Sequence, residues 1–167
     1  MSSSIRLALT LPIPDEFLFA IAHVVTQWAY LESHIDGEIA SLRGRPECAA
    51  LTPPKVLKRF RARIGFWRDI ASAVHTTDED RTDIAFIHQN ATDIKPRRDE
   101  VAHNPFVAGG GDSNLMMLLQ KEGQWELKEF VNGVAEISQL AERISLVNAR
   151  CMSFDFRHRL AQDDNDS

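Results

Sequence analysis

The sequence from Pro14 to Leu42 reads PDEFLFAIAHVVTQWAYLESHIDGEIASL, and its apolar residues recur at spacings of four and three. The stripe is broken only at Glu38 and consists of Phe17, Ile21, Val24, Trp28, Leu31, Ile35 and Leu42. Such spacing predicts a long amphipathic helix that packs on other helices. Pro14 suits a first helical turn, and we expect the helix to end near Gly44.

Three later segments have the same periodicity. Thr52-Pro53-Pro54 is a start signal for a second helix, and Thr76-Thr77-Asp78-Glu79 resembles the capped start of a third. A fourth helix is predicted by Ile137, Leu140, Ile144, Val147, Cys151 and Phe154. Residues 115–120 and 125–130 have the pattern of a short hairpin. The sequence therefore predicts an all-α fold, an antiparallel four-helix bundle with a short β-hairpin inserted before the last long helix.

The length and composition are those of one globular domain. The chain has 167 residues, and we expect a single domain over residues 1–167, with an extended lead-in at 1–13 and a disordered acidic tail at 162–167. There is no apolar run of about 18 residues, so no membrane span is expected. Cys48 and Cys151 are far apart, and no secretory signal is evident, which together favour a reducing cytoplasm.

The charge distribution is uneven. A net charge of −5 argues against a protein devoted to coating nucleic acid. Between residues 43 and 68, however, only Glu47 opposes a run of basic residues: Arg43, Arg45, Lys55, Lys58, Arg59, Arg61, Arg63 and Arg68. This run is either a solvated face whose long stems cover apolar surface or a surface that attracts phosphate. Arg143, Arg150 and Arg157 repeat every seven residues and leave the same two alternatives open.

The third predicted helix ends with Arg98-Asp99-Glu100-Val101-Ala102-His103, followed by Asn104-Pro105. Arg98 falls in the apolar register, and an unpaired buried charge is costly. It therefore pairs with an acid such as Glu32 or Asp36, or the seam opens there into a cleft. Arginine has a fork of donors suited to phosphate, and histidine exchanges a proton near neutral pH. The two residues supply what phosphodiester cleavage needs without a metal.

Other catalytic patterns are missing from the sequence. No two of the six histidines are three or four residues apart, and there is neither an HExxH motif nor a cysteine–histidine cluster. We therefore expect no metal site and no cofactor. No GxSxG nucleophile motif occurs either.

The fragment from Arg98 to Pro105 resembles the motif of the HEPN superfamily, whose members are four-helix bundles. That motif is an arginine, four to six residues and a histidine at the end of the third long helix. The Trp28-Ala29-Tyr30-Leu31-Glu32 turn is similar to some members as well. The resemblance implies a metal-independent endoribonuclease, often a homodimer with two motifs facing across one cleft. A role in a toxin–antitoxin or defence pair is a further expectation from the resemblance.

Carried over to this sequence, Arg98 stabilises charge on the phosphate, and His103 is the general acid or base in a cleavage that leaves a 2′,3′-cyclic phosphate. Asp99 stands where the family commonly has asparagine. It is either an orienting partner of His103, four residues away on the helix, or a carboxylate that repels substrate.

The remaining predictions concern the RNA and the partners. We expect Lys55, Arg59 and Arg63 of the basic stretch, together with Asn104, to contact RNA. The expected partners are RNA, a second copy of the chain, and an antitoxin or other protein. The alternative is a non-catalytic dimerisation, adaptor or RNA-binding module of the same fold.

Overall fold

Four long helices account for most of the chain. The computed structural model describes residues 13–54, 57–104, 106–108, 115–121, 123–130 and 133–163. Its helices are α1 (Asp15–Leu42), α2 (Phe60–Val74), α3 (Asp78–His103) and α4 (Gly133–Asp163), with one short 3-10 turn at Pro46–Cys48. The predicted all-α four-helix bundle is confirmed. Residues 1–12 of the predicted lead-in and 164–167 of the predicted tail lie outside the described residues.

The periodic apolar positions form one core. All six apolar positions predicted for the last helix are buried, as are Trp28, Leu31 and Ile35 of α1 and Ile64 and Trp67 of α2. In the last turns of α1 the stripe passes through Ile39, which lies four residues after Ile35, so Glu38 is beside the stripe and does not break it. Near its start, Ala20 is buried and Ile21 only partly so.

Contacts between the helices fix their directions. Phe17 near the start of α1 lies against Gly133 at the start of α4, so α1 and α4 run the same way. Trp28 packs on Phe60 at the start of α2, with ring centroids 4.5 Å apart, and Arg63 pairs with Asp36 further along α1, so α2 runs this way as well. The helix α3 opposes them. The predicted antiparallel packing thus holds for α3 against α2 and α4, whereas α1 is parallel to α2 and α4.

The second helix begins later than the Thr52-Pro53-Pro54 signal predicts. Residues 51–54 have no regular structure, and α2 begins at Phe60, directly after Arg59 in an extended conformation. The reason is the direction of α2: the chain must return along the bundle between Leu42 and Phe60 before a parallel helix can start. In contrast, the predicted cap of α3 is confirmed, because the Thr77 hydroxyl accepts a hydrogen bond from the Asp80 N–H (3.1 Å).

The predicted hairpin is also confirmed. Strands β2 (Leu115–Lys121) and β3 (Gln124–Phe130) pair antiparallel, with Lys121 opposite Gln124 and Gly123 in the turn at a φ of 82°. A short strand β1 (Phe106–Ala108) follows α3 and adds to the other edge of β2, which gives the order β1-β2-β3. Phe106 and Met117 are buried opposite each other and connect this sheet to the core.

Two further expectations can be compared with the described part of the chain. Within it, no helix is both long enough and apolar enough to cross a membrane. Cys48 and Cys151 are both free and buried.

Candidate functional site

A cleft opens between the middle of α1, the start of α2 and the C-terminal half of α3. Its volume is about 690 Å³. The residues that line it are Trp28, Glu32, Lys58, Arg59, Phe60, Arg61, Ile64, Thr92, Lys95, Pro96, Arg98, Asp99 and His103. All three residues of the predicted catalytic set therefore lie in one concave site.

Arg98 extends from the apolar register of α3 into this cleft. Its side chain is 15% exposed, and its guanidinium carbon lies 5.3 Å from the centre of the Trp28 ring. Glu32 and Asp36, the acids considered as its partners, instead bind Arg63 at 2.5 and 3.0 Å. Both alternatives for Arg98 therefore hold in part: the seam opens into a cleft, and Arg98 pairs with an acid, but that acid is Asp99 and not Glu32 or Asp36. The aromatic face beneath the guanidinium holds it by a cation–π contact.

His103 lies beside Arg98 at the last turn of α3. The distance between Arg98 Nη1 and His103 Nε2 is 3.2 Å, and His103 is exposed. Because an arginine can only donate, this contact is a hydrogen bond when Nε2 is the unprotonated nitrogen of the ring. In that arrangement the lone pair of Nε2 faces Arg98.

Asp99 has partners other than the histidine. It forms an ion pair with Lys95 one turn earlier and accepts a hydrogen bond from Arg98 Nη1 at 3.2 Å. Within the described residues it makes no hydrogen bond to His103. The carboxylate therefore orients Lys95 and Arg98. Its contacts do not support the alternative in which it orients His103.

Part of the Arg98 guanidinium group has no hydrogen-bond partner among the described residues. Neither its Nε nor its Nη2 hydrogen-bonds to any residue that the structure describes, although Nη1 binds both Asp99 and His103. Because each N–H of the guanidinium can bind an acceptor, an anionic group entering the cleft can still be bound by this side chain.

The four predicted RNA contacts differ in their surroundings. Arg59 is exposed and lines the cleft. Arg63 is taken up by Glu32 and Asp36 and does not line it. Asn104 donates from its side chain to the Glu100 carbonyl oxygen at 2.8 Å and so closes the end of α3. Lys55 lies outside the described residues.

The lining residues that were not predicted include three cations and one tryptophan that shape the cleft. Lys58 and Arg61 belong to the basic stretch noted above and lie on either side of Arg59, but the periodicity of α2 alone did not separate them from Arg63. Lys95 and Trp28 enter the site only because α3 packs across α1. A signal for Lys95 existed in its spacing of four from Asp99, which favours an ion pair on one helix face.

The repeated arginines of α4 do not line the cleft: Arg143, Arg150 and Arg157. Arg150 and Arg157 both bind Asp83, which is fully buried near the start of α3, and Arg157 also binds Glu79 at 2.8 Å. These contacts raise the pKa of Arg157, chiefly through its hydrogen bond with Asp83. Arg143 is exposed. Arg150 and Arg157 therefore form neither a solvated stripe nor a phosphate-binding surface. They connect α4 to α3 through ion pairs.

One cluster elsewhere has metal-binding chemistry. His75, Asp80 and His158 come from the end of α2, the first turn of α3 and the last part of α4, and their ligand atoms lie within 4.8 Å of one another. Spacing along the chain does not reveal this cluster, because its residues come from three different elements. The sequence predicts no metal site, and this cluster is a described feature that bears on that prediction.

Comparison of the chain with protein-family models, with curated proteins and with solved structures finds no match.

Proposed function

We propose that this protein is a metal-independent endoribonuclease of the HEPN type, in which Arg98 and His103 cleave RNA in the cleft. The observation that carries the proposal is the contact of 3.2 Å between Arg98 Nη1 and His103 Nε2 in a concave site with a basic rim. This reaction needs a cation that stabilises negative charge on the phosphate and a base that takes up a proton, and the two side chains supply them.

The reaction needs two proton transfers. The 2′-hydroxyl oxygen attacks the adjacent phosphorus while its proton passes to a base, the bond from phosphorus to the 5′-oxygen breaks, and that oxygen takes up a proton. The products are a 2′,3′-cyclic phosphate and a 5′-hydroxyl. In the proposal, bound RNA replaces the contact between Arg98 and His103. Arg98 then binds the non-bridging oxygens as negative charge accumulates on them, and His103 Nε2 takes the proton of the 2′-hydroxyl. A second imidazole, supplied by the other copy in the dimer proposed below, gives its proton to the 5′-oxygen.

The rim of the cleft supplies attraction for the RNA backbone. Lys58, Arg59 and Arg61 are exposed at its α2 side, and Lys95 is half-buried on α3. Basic side chains of this kind bind phosphates without reading sequence. The substrate class that fits best is single-stranded RNA, whose flexible backbone can bend a phosphate into a cleft.

A homodimer would complete the catalytic set. Among the described residues that line the cleft, His103 is the one histidine, so a single chain offers one imidazole for two proton transfers. The HEPN resemblance implies that a second copy brings its own motif to the same cleft. We propose this arrangement, and sedimentation velocity of the purified chain tests it through the molar mass.

The alternative function is RNA binding without turnover. The observation that favours it is Asp99, whose carboxylate lies in the cleft and neutralises part of the charge of Lys95 and Arg98. A cleft of reduced positive charge still holds RNA through Lys58, Arg59 and Arg61, but it stabilises the transition state less.

The decisive experiment is cleavage of a mixed RNA pool in the presence of EDTA. We expect wild-type protein to produce 2′,3′-cyclic phosphate ends, and His103→Ala and Arg98→Ala to cleave roughly 100-fold more slowly or less. Arg98→Lys keeps the charge but loses the fork of donors, so we expect it to be impaired as well. Matched controls are His23→Ala and Arg143→Ala, which remove exposed residues outside the cleft and should leave cleavage unchanged.

The outcomes separate the two functions. RNA binding in a filter assay without cleavage by folded wild-type protein would establish the binding module. Cleavage that persists in His103→Ala would overturn the catalytic assignment.

A further inference from the structure

The cluster of His75, Asp80 and His158 lies at the other end of the bundle from the cleft. Asp80 precedes Arg98 on α3 by a helical distance of roughly 27 Å. His75 is the residue that follows α2, Asp80 is in the first turn of α3, and His158 is on α4. None of the three is used by the proposed ribonuclease, so the inference drawn from them is independent of that function.

The three side chains are packed tightly against one another. The Nε2 atom of His158 is 2.9 Å from Asp80 Oδ1, and the rings of His75 and His158 have centroids 3.7 Å apart. His75 is 8% exposed and Asp80 3%, so two of the three are buried. Phe154 packs edge-on against both imidazoles and forms an apolar wall. Two imidazoles and a carboxylate are thus held together in a setting of low dielectric.

The cluster also faces open space on one side. A cavity of about 360 Å³ is lined by His75 and His158 and by polar residues of α1 and α4, among them Ser33, Ser41 and Asp155. A bound ion would therefore have protein ligands on one side and room for water on the other. Metal sites with three protein ligands and an open position have this arrangement.

The surroundings of the cluster shift two pKa values. Burial, together with the neighbouring His158, lowers the pKa of His75 to about 4. Burial acts to raise the pKa of Asp80, but its hydrogen bond with Thr77 and the nearby His158 more than offset this, so that pKa is below its usual value. These shifts describe the protein without an ion, and it is the positions of the three side chains and the cavity beside them that favour a cation.

We propose that His75, Asp80 and His158 bind a divalent first-row transition metal ion such as Zn²⁺. Two histidines and one carboxylate are ligands that suit zinc, iron(II), cobalt(II) and nickel(II), and they are poor ligands for calcium. The ion would join the turn between α2 and α3 to the last part of α4. The ribonuclease step does not pass through this ion.

Binding requires a small rearrangement. Ligand atoms about 2.0–2.1 Å from a tetrahedral zinc ion lie roughly 3.3 Å from one another, whereas the three ligand atoms here lie within 4.8 Å. The two imidazoles must rotate out of their stacked contact, and the proton between His158 and Asp80 must leave. Arg157 Nη2 is 3.7 Å from Asp80 Oδ1 and competes with the ion for that carboxylate, but its closer partners are Asp83 and Glu79.

The test is calorimetric titration of EDTA-stripped, desalted full-length protein with ZnCl₂. We expect one ion per chain and an affinity that falls in His158→Ala by more than the roughly 10–100-fold that loss of an outer partner costs. The controls are His23→Ala and His103→Ala, which remove exposed histidines elsewhere and should bind like wild type. The His103→Ala control also separates the metal site from the proposed ribonuclease, because it disables only the latter.

A second measurement does not depend on the variant being folded. X-ray absorption of wild-type protein loaded with one equivalent of Zn²⁺ should show nitrogen and oxygen ligands near 2.0–2.1 Å, with imidazole scattering. A sulfur shell near 2.3 Å would place the ion on a cysteine and overturn the proposal. The absence of stoichiometric binding at millimolar Zn²⁺, or binding that is the same in a folded His158→Ala, would overturn it too.

Discussion

At the scale of single residues, the side chain that distinguishes this cleft is Asp99. Arg98 and Lys95 both bind it, so the carboxylate holds two cations in place and at the same time cancels part of their charge. A phosphate that enters the cleft must compete with this carboxylate for both cations. In the proposed complex with RNA, we therefore expect the affinity to depend on competition between a phosphate and the Asp99 carboxylate.

Asp99→Asn should tighten RNA binding. The substitution removes a negative charge from the cleft and releases the ammonium of Lys95, and one charge–charge term in a water-exposed site is worth about 1 kcal/mol, or roughly fivefold in affinity. Fluorescence anisotropy with a short single-stranded RNA measures the change. The gain should shrink as salt is raised, because exposed charges are screened.

The matched control for this prediction is Asp93→Asn. It makes the same change of charge on the same helix, at an exposed residue that binds Gln89 and does not line the cleft. We expect less than a twofold change. Equal gains in the two variants would show that RNA responds to net charge and not to the cleft.

At the scale of elements, α3 is the helix that organises the molecule. Its first turn is acidic, with Asp78, Glu79 and Asp80, and its last turns carry Lys95, Arg97, Arg98 and His103. This order suits the helix dipole at both ends. The acidic end binds arginines of α4. At the basic end, Lys95, Arg98 and His103 line the cleft, whereas Arg97 binds Glu136 of α4.

The junction between α1 and α4 leaves no room for a side chain at Gly133. A Cβ added there would overlap the Phe17 ring, which is buried. We expect Gly133→Ala to lower the free energy of unfolding by about 1–3 kcal/mol, because overpacking forces the ring or the backbone to move. Urea denaturation followed by circular dichroism measures it.

Gly37→Ala is the comparison for this change. Gly37 lies in the interior of α1, whereas Gly133 is the first residue of α4, and nothing lies within 4 Å of a Cβ added at Gly37. Alanine there should stabilise the protein by up to about 1 kcal/mol, because it favours the helix. If both substitutions were stabilising, Phe17 would have to be free to leave the junction, and the parallel contact of α1 and α4 would be looser than described.

The elements were predictable where local pattern decides them. The 3.6-residue period identified α1, α3 and α4, the Thr77 cap marked the start of α3, and the two short segments on either side of the turn at residues 121–124 identified β2 and β3. The start of α2 was not predictable from Thr52-Pro53-Pro54, because the return of the chain along the bundle delays it. The added strand β1 has three residues, too few to produce a periodic signal.

The candidate site was predictable in part, for a related reason. Arg98 drew attention because it breaks an apolar register, and His103 followed from its spacing. The neighbours that define their environment, such as Trp28 and Lys58, come from other parts of the chain, and no local sequence pattern assigns them to the site. The cluster of His75, Asp80 and His158 is the extreme case, since three elements must fold together before these residues meet.

At the scale of the whole molecule, the two functional proposals occupy opposite ends of one bundle. The cleft gathers basic residues, although the chain as a whole carries a net charge of −5. The compensating acids are spread over other surfaces and over the buried pairs of α3 with α4. Local attraction of RNA is therefore compatible with an acidic protein, and the rim of the cleft matters more than the net charge.

The two cysteines offer a measure of how tightly this bundle is closed. Burial raises the pKa of the Cys151 thiol to about 12, and Cys48 is buried as well. A thiol reacts as its thiolate, so neither residue should react with a maleimide at pH 8 until the chain unfolds.

Ser153→Cys adds an exposed thiol two residues from Cys151 on α4 and is the internal standard. For a domain of ordinary stability, we expect the native cysteines to react at least about a thousandfold more slowly than this standard, with mass spectrometry counting the adducts. Rapid labelling of Cys151 in the native protein would mean that α4 separates from α1 without global unfolding, which the close packing of these two helices excludes.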